Sequence, residues 1–521
     1  MQKMVKSAAA AAMIGLLALA AGCGSGDKAA ANKDTVKFGV TNFADSLEPT
    51  DNFFSWVVMR YGLGECLVQF DDEMNAVPWL AESWQISDDK LTWTFKINDQ
   101  VVFSNGDKLT AEIAKESLER TFAKSTRAQT FFTYDSIKAD GQNLIIKTSK
   151  PVPTLPGMLA DPLFIIIDTK VKDRDYAKEG PICTGPYMVK SYSKAKAVME
   201  ANPNYWNGKV PFKHAEIPTI DDPNTRALAL QSGEIDIAIN IAAGDLALFK
   251  NDKYKISEIA SLRTVLAQMN MNEGRALHDP KVRAALISSL DRETYNKVLL
   301  KDTFIPGKAP VPPSLDYGFD QLQDPNSYNV ERAKKLLAEA GWKDTDGDGY
   351  VDKNGKNLEL DFVYYSGRAE LPLYAEATQA DAKKIGIKVN LKNVDYNVLD
   401  PMRRNGEFDL MISNILTANS GDPEVYLNWY WKTNVNGSQP QNATGYSSPD
   451  FDALSDQLAV EFDPAKRRDL IIKMQQVLLD DSAALFFGYP KTNMVSRSYI
   501  ENAEIKPADY YWLTKDVAPA K

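Results

Sequence analysis

Histidine and cysteine are scarce in this chain, whose 521 residues include two histidines and three cysteines. Transition-metal sites in proteins are usually built from several imidazole or thiolate ligands. His214 lies in a predicted surface turn and His278 precedes a predicted helix, so we expect both side chains to be structural or solvated. The sequence therefore predicts no bare metal site, and any metal would have to arrive already chelated.

The sequence also lacks the motifs of secreted hydrolases. It contains no Gly-x-Ser-x-Gly segment and no His-Glu-x-x-His segment. A serine nucleophile needs a nearby base, and two poorly placed histidines provide no evident candidate. We therefore expect no enzymatic activity, no catalytic residue and no cofactor, and a secreted hydrolase is kept only as an alternative.

Two further absences limit the partners. After residue 21 the chain has no run of 18 apolar residues that could span a membrane. Acidic residues outnumber basic ones, 70 against 60, and the net charge is −10. A nucleic-acid-binding surface needs a basic face, so we expect no nucleic-acid partner.

The first 23 residues combine two lysines, an apolar stretch and the small-residue ending Ala20-Ala21-Gly22-Cys23. This order is typical of a secretory signal peptide, and the stretch is too short for a lasting membrane span. The ending resembles a bacterial lipoprotein signal, which implies that Cys23 carries a lipid after cleavage. We predict a signal peptide over 1–22 and a flexible lipidated tether over 23–33, with an ordinary signal peptide as the alternative.

Strand-like and helical patterns alternate along the rest of the chain. Apolar runs and period-two alternation predict strands over 36–40, 91–97, 144–148, 235–241, 358–365, 387–394 and 408–412. Helical spacing predicts a helix capped by Thr110 and helices over 282–290, 329–340, 371–385 and 464–480. Strand and helix alternation with short links predicts an α/β fold.

Seven long motifs follow one another in a defined order along the chain. The first, at 77–120, reads VPWLAESWQISDDKLTWTFKINDQVVFSNGDKLTAEIAKESLER. The others are CTGPYMV at 183–189, NPNYWNGKVP at 202–211, DDPNTRALALQSGEIDIA at 221–238, DPKVRAALISSLDRETY at 279–295, GEFDLMI at 406–412 and GDPEVYL at 421–427. Together they resemble family 5 of the bacterial extracytoplasmic solute-binding proteins, the peptide- and nickel-type receptors of ABC importers.

The resemblance implies a two-lobe periplasmic-binding-protein fold of type II, with an inserted subdomain and a ligand cleft between the lobes. The expected limits are 34–70, 184–271 and 486–521 for lobe I, 71–183 for its inserted subdomain and 272–485 for lobe II. The chain would cross between the lobes near 269–272 and 485–489. Ligand binding would shift an equilibrium between open and closed arrangements.

Peptide-binding relatives hold the ligand ammonium group with an aspartate just before a Gly-Asp-Pro segment. This chain has Asn419 there, between Thr417 and Asp422, and an amide lacks the charge that a buried ammonium group needs. Dipeptide receptors also bind the ligand carboxylate with an arginine that follows a strand. Tyr365 aligns with that arginine and Arg368 follows it, so the resemblance makes all five residues candidates for ligand binding.

Nickel-type relatives place an arginine near an anionic chelate, and Arg127 aligns with it. Their second arginine is replaced by Asp161, and their cleft histidine has no counterpart here. The resemblance therefore adds Arg127 to the candidates. We expect a peptide or peptide-like solute, with a chelated metal such as nickel as the alternative.

Aromatic residues cluster where the family places cleft walls. They follow the first predicted strand, the Gly-Asp-Pro segment and the second crossing, and the candidates are Phe54, Trp56, Trp429, Phe487 and Tyr489. Many aromatic side chains in such clusters pack in the core. Those that face the cleft would provide an apolar stacking wall.

Two local patterns have alternative explanations. The acidic segment 344–352 resembles a calcium loop, but the twelfth position, which needs a bidentate glutamate, is Gly355. A turn before the next strand explains the same residues. Cys66 and Cys183 could form a disulfide or remain two buried thiols.

Together, these observations predict a lipid-anchored protein outside the cytoplasm that binds a small solute. It would deliver the solute to the transmembrane subunits of an ABC permease. We expect a monomer whose partners are the solute, the permease and, through the anchor, the membrane. A sensor that presents its bound ligand to a membrane receptor is an alternative with the same fold.

Overall fold

A mixed sheet of twelve strands runs through the computed structural model, which describes residues 34–41, 43–439 and 441–520. From edge to edge, ten strands are Lys388–Asn393, Glu359–Tyr364, Leu410–Leu416, Arg263–Met269, Ala484–Arg497, Ile237–Ile239, Thr35–Gly39, His214–Pro218, Lys196–Ala201 and Tyr187–Tyr192. Tyr254–Ala260 and Phe304–Pro306 also pair with Ala484–Arg497. The predicted signal peptide, Cys23 and the tether lie outside the described residues.

A smaller antiparallel sheet lies within the segment expected to form the inserted subdomain. Its strands, in order, are Ala81–Ile86, Thr92–Ile97, Asn143–Lys147 and Ser136–Asp140. Three two-stranded pairs complete the strands: Val68–Phe70 with Ala76–Pro78, Asp352–Lys353 with Lys356–Asn357, and Ile500–Glu501 with Ala518–Pro519. The strand Thr92–Ile97 buries Trp93, Phe95 and Ile97, as its alternation predicts.

Helices pack on the twelve-stranded sheet and on the smaller four-stranded sheet. The α-helices are Phe54–Arg60, Ala111–Lys124, Ala128–Phe131, Leu155–Met158, Tyr176–Glu179, Pro223–Ser232, Ala243–Leu246, Pro280–Ser288, Arg292–Thr294, Val330–Glu339, Glu370–Lys384, Leu399–Asn405, Glu424–Trp431, Pro449–Leu458 and Pro464–Asp480. Short 3₁₀ turns occupy Pro162–Phe164, Ala247–Phe249, Ala276–His278 and Tyr396–Val398, and Tyr295–Leu299 is a wide π turn. Among the residues described, no helix is long and apolar enough to cross a membrane.

Polar caps explain where several helices begin. The Thr110 hydroxyl accepts a hydrogen bond from the Ile113 N–H, and the Asn329 side chain accepts one from the Arg332 N–H. Such caps satisfy backbone donors that have no partner inside the helix. The predicted starts at Thr110 and Asn329 are therefore confirmed.

Two separate apolar cores lie on the two halves of the large sheet. Most of the first core comes from residues 36–217 and 494–517, and the second comes from residues 265–487. A small cluster around helix Pro223–Ser232 packs on the first half. We call the parts of the chain around these cores the first and second lobes.

The strand Ala484–Arg497 connects the two lobes. Its first part pairs with Arg263–Met269, and its last part pairs with Tyr254–Ala260. The partner changes over 488–491, close to the crossing expected from the resemblance.

The second connection lies earlier in the chain than expected. Tyr254–Ala260 continues through 261–262 into Arg263–Met269, which pairs with Leu410–Leu416 of the second lobe. The crossing is therefore at 261–262 rather than near 269–272. The physical reason is that Val265, Leu266, Ala267 and Met269 of this strand belong to the second core, not the first.

Cys66 and Cys183 are free thiols in this structure, and both are buried. Burial is the main reason that the pKa of each thiol is raised, which keeps both sulfurs neutral. Of the two alternatives left open by the sequence, the structure contains two buried thiols.

Candidate functional site

A cleft of about 1610 Å³ lies between the lobes, beside both connections. Residues of the connecting strands and side chains of both lobes line it. Nine of the eleven residues predicted to bind ligand are on its walls: Phe54, Trp56, Arg127, Tyr365, Arg368, Thr417, Asn419, Asp422 and Trp429. Their contact with a ligand stays a prediction.

Phe487 and Tyr489 do not line the cleft, which corrects their expected placement. Phe487 is fully buried in the second core, and the Tyr489 hydroxyl accepts a hydrogen bond from the Ala309 N–H at 2.8 Å. The Phe487 ring packs against Phe362 and Tyr374 of the second lobe, and the Tyr489 ring packs against Phe319. Both side chains are therefore directed into the second lobe and away from the cleft.

The first-lobe wall is aromatic and carries an unpaired guanidinium group. The helix Phe54–Arg60 contributes Trp56, and Phe53 precedes it. The Arg127 guanidinium lies 4.2 Å from the ring centroid of Phe53. Its Nε and Nη2, and the indole Nε1 of Trp56, are buried without a hydrogen-bond partner among the described residues. Because unpaired buried donors are costly, these N–H groups favour an acceptor on a ligand.

Asp161 lies buried near this wall, with an exposed fraction of 1%. Its carboxylate accepts a hydrogen bond from the Leu163 N–H at 2.9 Å. Burial raises the pKa of Asp161 to about 6, and the charge of Arg127 acts in the opposite direction. Burial also lowers the pKa of Arg127. The two groups influence each other without forming a hydrogen-bonded pair.

A second guanidinium of the first lobe is already paired. Arg60 donates to the Asp509 carboxylate, and its Nε also donates to the Asp509 carbonyl oxygen at 2.8 Å. It lies over the rings of Trp512 and Trp56, at 4.4 and 5.0 Å from their centroids. Arg60 therefore supports the wall and adds little free charge to the cleft.

Two more guanidinium groups reach the cleft from the second lobe. Arg263 begins its strand at the connection between the lobes, and Nη1 donates to the Asn414 carbonyl oxygen at 3.4 Å. Burial lowers the pKa of Arg263 to about 10, and the positive charge of Arg368 acts in the same direction. The Glu370 carboxylate is used by the Asn414 amide at 2.8 Å. Arg263 therefore stays cationic at neutral pH, and the two guanidinium groups are close enough to repel each other.

The 417–422 loop contributes uncharged groups to the same wall. Both the N–H and the hydroxyl of Thr417 donate to the Leu262 carbonyl oxygen, at 2.9 and 2.8 Å, which ties the loop to the connection between the lobes. Asn419 and Ser420 follow and line the cleft. An amide and a hydroxyl can donate or accept, but they do not neutralise a ligand charge.

The Asp422 carboxylate is already hydrogen-bonded to residues of its own lobe. Its Oδ2 accepts from the Arg467 Nε at 2.9 Å, and Oδ1 accepts from the Glu424 N–H at 2.8 Å. Arg467 also donates to the Glu424 carboxylate at 2.7 Å. A carboxylate that is already paired and capping a helix is a poor partner for a ligand ammonium group.

The cleft therefore has an excess of unpaired positive charge. Within the described ranges, Arg127, Arg263 and Arg368 form no ion pair within 4.0 Å, whereas Asp422 and Asp509 are each bound by an arginine. Two other carboxylates of the cleft, those of Glu370 and Asp395, also form no ion pair there, so three unpaired guanidinium groups face two unpaired carboxylates. Guanidinium groups bind carboxylates and similar oxyanions through paired N–H donors. The walls suit an anionic ligand that also offers an aromatic or apolar surface.

Sequence reasoning missed Arg263 and Tyr396. Arg263 is one of 60 basic residues, and its strand was assigned to the other lobe. Tyr396 lies on the cleft wall 5.1 Å from the ring centroid of Tyr365 and is 67% exposed. No local motif marks either residue, because strand pairing and lobe placement bring them to the cleft.

Outside the cleft, carboxylate oxygens of Asp344, Asp346 and Asp348 lie within 4.8 Å of one another. The Asp344 carboxylate accepts hydrogen bonds from the N–H groups of Gly347 and Gly349, at 2.7 and 3.0 Å. These bonds are those of an acidic turn. Calcium binding by this segment stays untested.

The chain is similar to known proteins over most of its length. Residues 75–438 match the family model described as bacterial extracellular solute-binding proteins, family 5. The nickel-binding protein NikA of Staphylococcus aureus is 27% identical over 459 residues, which cover 87% of this chain and 89% of that protein. The oligopeptide-binding protein AppA of Bacillus subtilis is 26% identical over 486 residues, 86% of each chain.

A solved structure extends this similarity to the fold. The crystal structure of NikA from Staphylococcus aureus in complex with Ni(L-His)2 aligns with a TM-score of 0.74 at 26% identity. The alignment covers 93% of this chain and 100% of that chain. The two-lobe α/β fold predicted from the sequence is confirmed.

Proposed function

The chain belongs to family 5 of the bacterial extracellular solute-binding proteins, and on this basis we propose that it captures a carboxylate-bearing solute for an ABC importer. It would bind the solute outside the cytoplasm and deliver it to the permease. The excess of unpaired guanidinium groups in the cleft carries this proposal. A ligand carboxylate would satisfy these donors and neutralise their charge.

An anionic metal chelate is one candidate solute. The Staphylococcus aureus relative is a nickel-binding protein whose crystal structure contains Ni(L-His)2. Neither histidine of this chain lines the cleft, and the His278 ring Nδ1 is hydrogen-bonded to the Met271 carbonyl oxygen at 2.8 Å. The chelator would therefore supply the metal ligands, while the arginines would bind its carboxylates.

A peptide-like solute is the second candidate, and the size of the cleft favours it. A volume of about 1610 Å³ exceeds the ~300–1,000 Å³ of ordinary small-molecule pockets. The terminal carboxylate of a peptide would suit Arg263 and Arg368. Its ammonium group would have to use Glu370 or Asp395, which line the cleft, since Asp422 is bound by Arg467 and position 419 is an asparagine.

Binding would couple to movement of the lobes. The two connections at 261–262 and 488–491 are where we place the boundary between them, with the inserted subdomain over 71–183. Arg127 belongs to one lobe and Arg368 to the other, so a ligand that contacts both stabilises the closed arrangement.

The test is a titration of the purified protein by calorimetry. The probes are Ni(II) mixed with L-histidine, each component alone, and tetra-alanine. Native mass spectrometry first establishes that the protein carries no solute from the host. Binding that needs both metal and histidine supports the chelate, and binding of tetra-alanine supports the peptide. The absence of binding by any probe contradicts both candidates.

A matched pair of variants tests the role of charge in the cleft. We call the probe that binds the wild type the active probe. Arg368→Gln is expected to weaken its binding about 10- to 100-fold, because a charged hydrogen bond is lost. Arg404→Gln removes the same charge from an exposed side chain outside the cleft. Equal losses in both variants would mean that the net charge, not the cleft, controls binding.

Finer features of the proposal depend on residues outside the described structure. We propose that Cys23 carries a lipid that anchors the protein to the membrane, and that the protein acts as a monomer without enzymatic activity. The intact mass of the protein extracted from membranes would contain a diacylglyceryl group on Cys23. A Cys23→Ser variant released into the soluble fraction would support the anchor, and an unmodified mass would refute it.

A further inference from the structure

The 417–422 loop belongs to the second lobe by sequence but lies on the first. The strand before it, Leu410–Leu416, pairs within the second lobe. Ala418, in contrast, is 1% exposed and is part of the first core. This loop contains candidate ligand-binding residues of the second lobe, yet it packs against the first lobe.

Two glycines make this packing possible. Gly157 lies in the inserted subdomain, and a Cβ atom there would overlap the Ser420 carbonyl oxygen. At Gly421 a Cβ atom would overlap the Met74 carbonyl oxygen and lie 2.9 Å from Cε1 of Phe70. Gly421 also has a φ of +77°, which favours glycine. The backbone of Gly157 lies so close to Ser420, and that of Gly421 so close to Met74, that neither glycine position has room for a side chain.

The ends of the loop are held elsewhere. Thr417 is bonded to Leu262 at the connection between the lobes, and Asp422 is bonded to Arg467 of the second lobe. Gly157 contacts the middle of the loop, next to Asn419, which lines the cleft. The contact at Gly157 thus determines how far the middle of the loop can approach the first lobe.

We propose that Gly157 is a positioning residue for ligand binding, because its lack of a side chain seats the opposite lobe's 417–422 loop on the inserted subdomain. The close contact between Gly157 and Ser420 places Asn419 and Ser420 on the cleft wall. The effect on ligand affinity rests on the proposed function, whereas the effect on the loop does not. Gly157 itself does not contact the ligand.

Gly157→Ala in the full chain is the decisive variant. The φ of Gly157 is not in the left-handed region, and the residue lies in the short helix Leu155–Met158, so alanine suits the local backbone. Any effect therefore comes from the contact with Ser420. Gly244→Ala is the matched control, because a Cβ atom at Gly244 meets nothing within 4 Å and its φ is also ordinary.

Hydrogen exchange measured by mass spectrometry reads the loop without any ligand. We expect the exchange rate of peptides covering 417–422 to rise about tenfold in Gly157→Ala, with helix Pro464–Asp480 unchanged. Gly244→Ala should match the wild type throughout. Unchanged exchange in 417–422 of a folded Gly157→Ala protein overturns the proposal, as does an equal rise over the whole chain.

A second variant keeps the test decisive if Gly157→Ala does not fold. Phe70→Leu trims the ring that packs against Gly421 and is expected to raise exchange in the same peptides. Titration with Ni(II) and L-histidine, and with tetra-alanine, should then give about tenfold weaker binding for the variant than for the wild type. If the wild type binds neither probe, the proposed function fails, but the exchange result still decides the role of Gly157.

Discussion

At the scale of residues, the cleft brings together charges that the fold leaves without partners. Arg127 comes from the first lobe, Arg263 from the connection between the lobes and Arg368 from the second lobe. Holding like charges near each other is unfavourable, and the loss is offset only when an anion binds. Such an arrangement lowers the stability of the ligand-free protein and raises its affinity for an anion.

Arg263→Gln tests this relation between stability and affinity. The empty variant is expected to be as stable as the wild type or more stable by about 1 kcal/mol or less, because repulsion with Arg368 is relieved. Stabilisation of the variant by the active probe should be smaller than that of the wild type. Thermal unfolding with and without the probe measures both effects, and a variant that is equally stabilised by the probe would contradict the role of Arg263.

Asp161 predicts a pH dependence of stability. Its pKa in the folded protein is about 6, above the unfolded value of 3.8, because the side chain is buried. A raised pKa means that the stabilising contribution is complete below pH 3.8 and is lost as pH rises through about 6. Asp161→Asn keeps the oxygen that accepts from the Leu163 N–H but cannot ionise.

The variant should therefore gain stability relative to the wild type as pH increases from 4 to 8, by up to ~3 kcal/mol. Denaturant unfolding at pH 4, 6 and 8 measures the difference. A constant difference across this range would show that Asp161 does not titrate in it. Lys138→Gln, at an exposed position of the strand Ser136–Asp140, is a control expected to give no such trend.

At the scale of elements, local signals predicted helices better than strands. The helix predicted over 464–480 is present as Pro464–Asp480, because Asp463, Pro464 and the apolar spacing all agree. The strand predicted over 408–412 is Leu410–Leu416 instead, since its length depends on pairing with Arg263–Met269.

Removal of a helix cap should have a local cost that can be measured. The Asp463 carboxylate accepts hydrogen bonds from the N–H groups of Ala465 and Lys466, at 2.9 and 3.1 Å. Asp463→Ala is expected to lower the free energy of unfolding by about 1 kcal/mol. Asp469→Ala, at an exposed position within the same helix, should change it by less than ~0.5 kcal/mol. Equal effects in denaturant unfolding would argue against the cap.

At the scale of the whole molecule, two apolar cores are joined by two connections, and the proposed function requires the lobes around them to move as units. A ligand that binds between them stabilises the folded state and favours closure. At 100 times its dissociation constant, the active probe is expected to add about 2.7 kcal/mol of stability. Differential scanning calorimetry at several probe concentrations measures this. A melting temperature independent of concentration would mean that the probe does not bind the native state.

The sequence alone determined the type of molecule. Long ordered motifs predicted the family and the two-lobe α/β fold, and the scarcity of histidine predicts that any metal would arrive already chelated. It also identified nine of the residues that line the cleft, because loops after strands carry them at positions that the motifs mark. These features depend on the order and chemistry of residues close together in the chain.

The tertiary structure decided which groups meet. Arg263 reaches the cleft because its strand pairs in the second lobe, and Phe487 and Tyr489 leave it because their rings pack against other residues of the second lobe. The occupation of Asp422 by Arg467 and the contact between Gly157 and the opposite loop join residues far apart in sequence. Such contacts depend on strand pairing, side-chain direction and close approach of backbones, none of which a local pattern records.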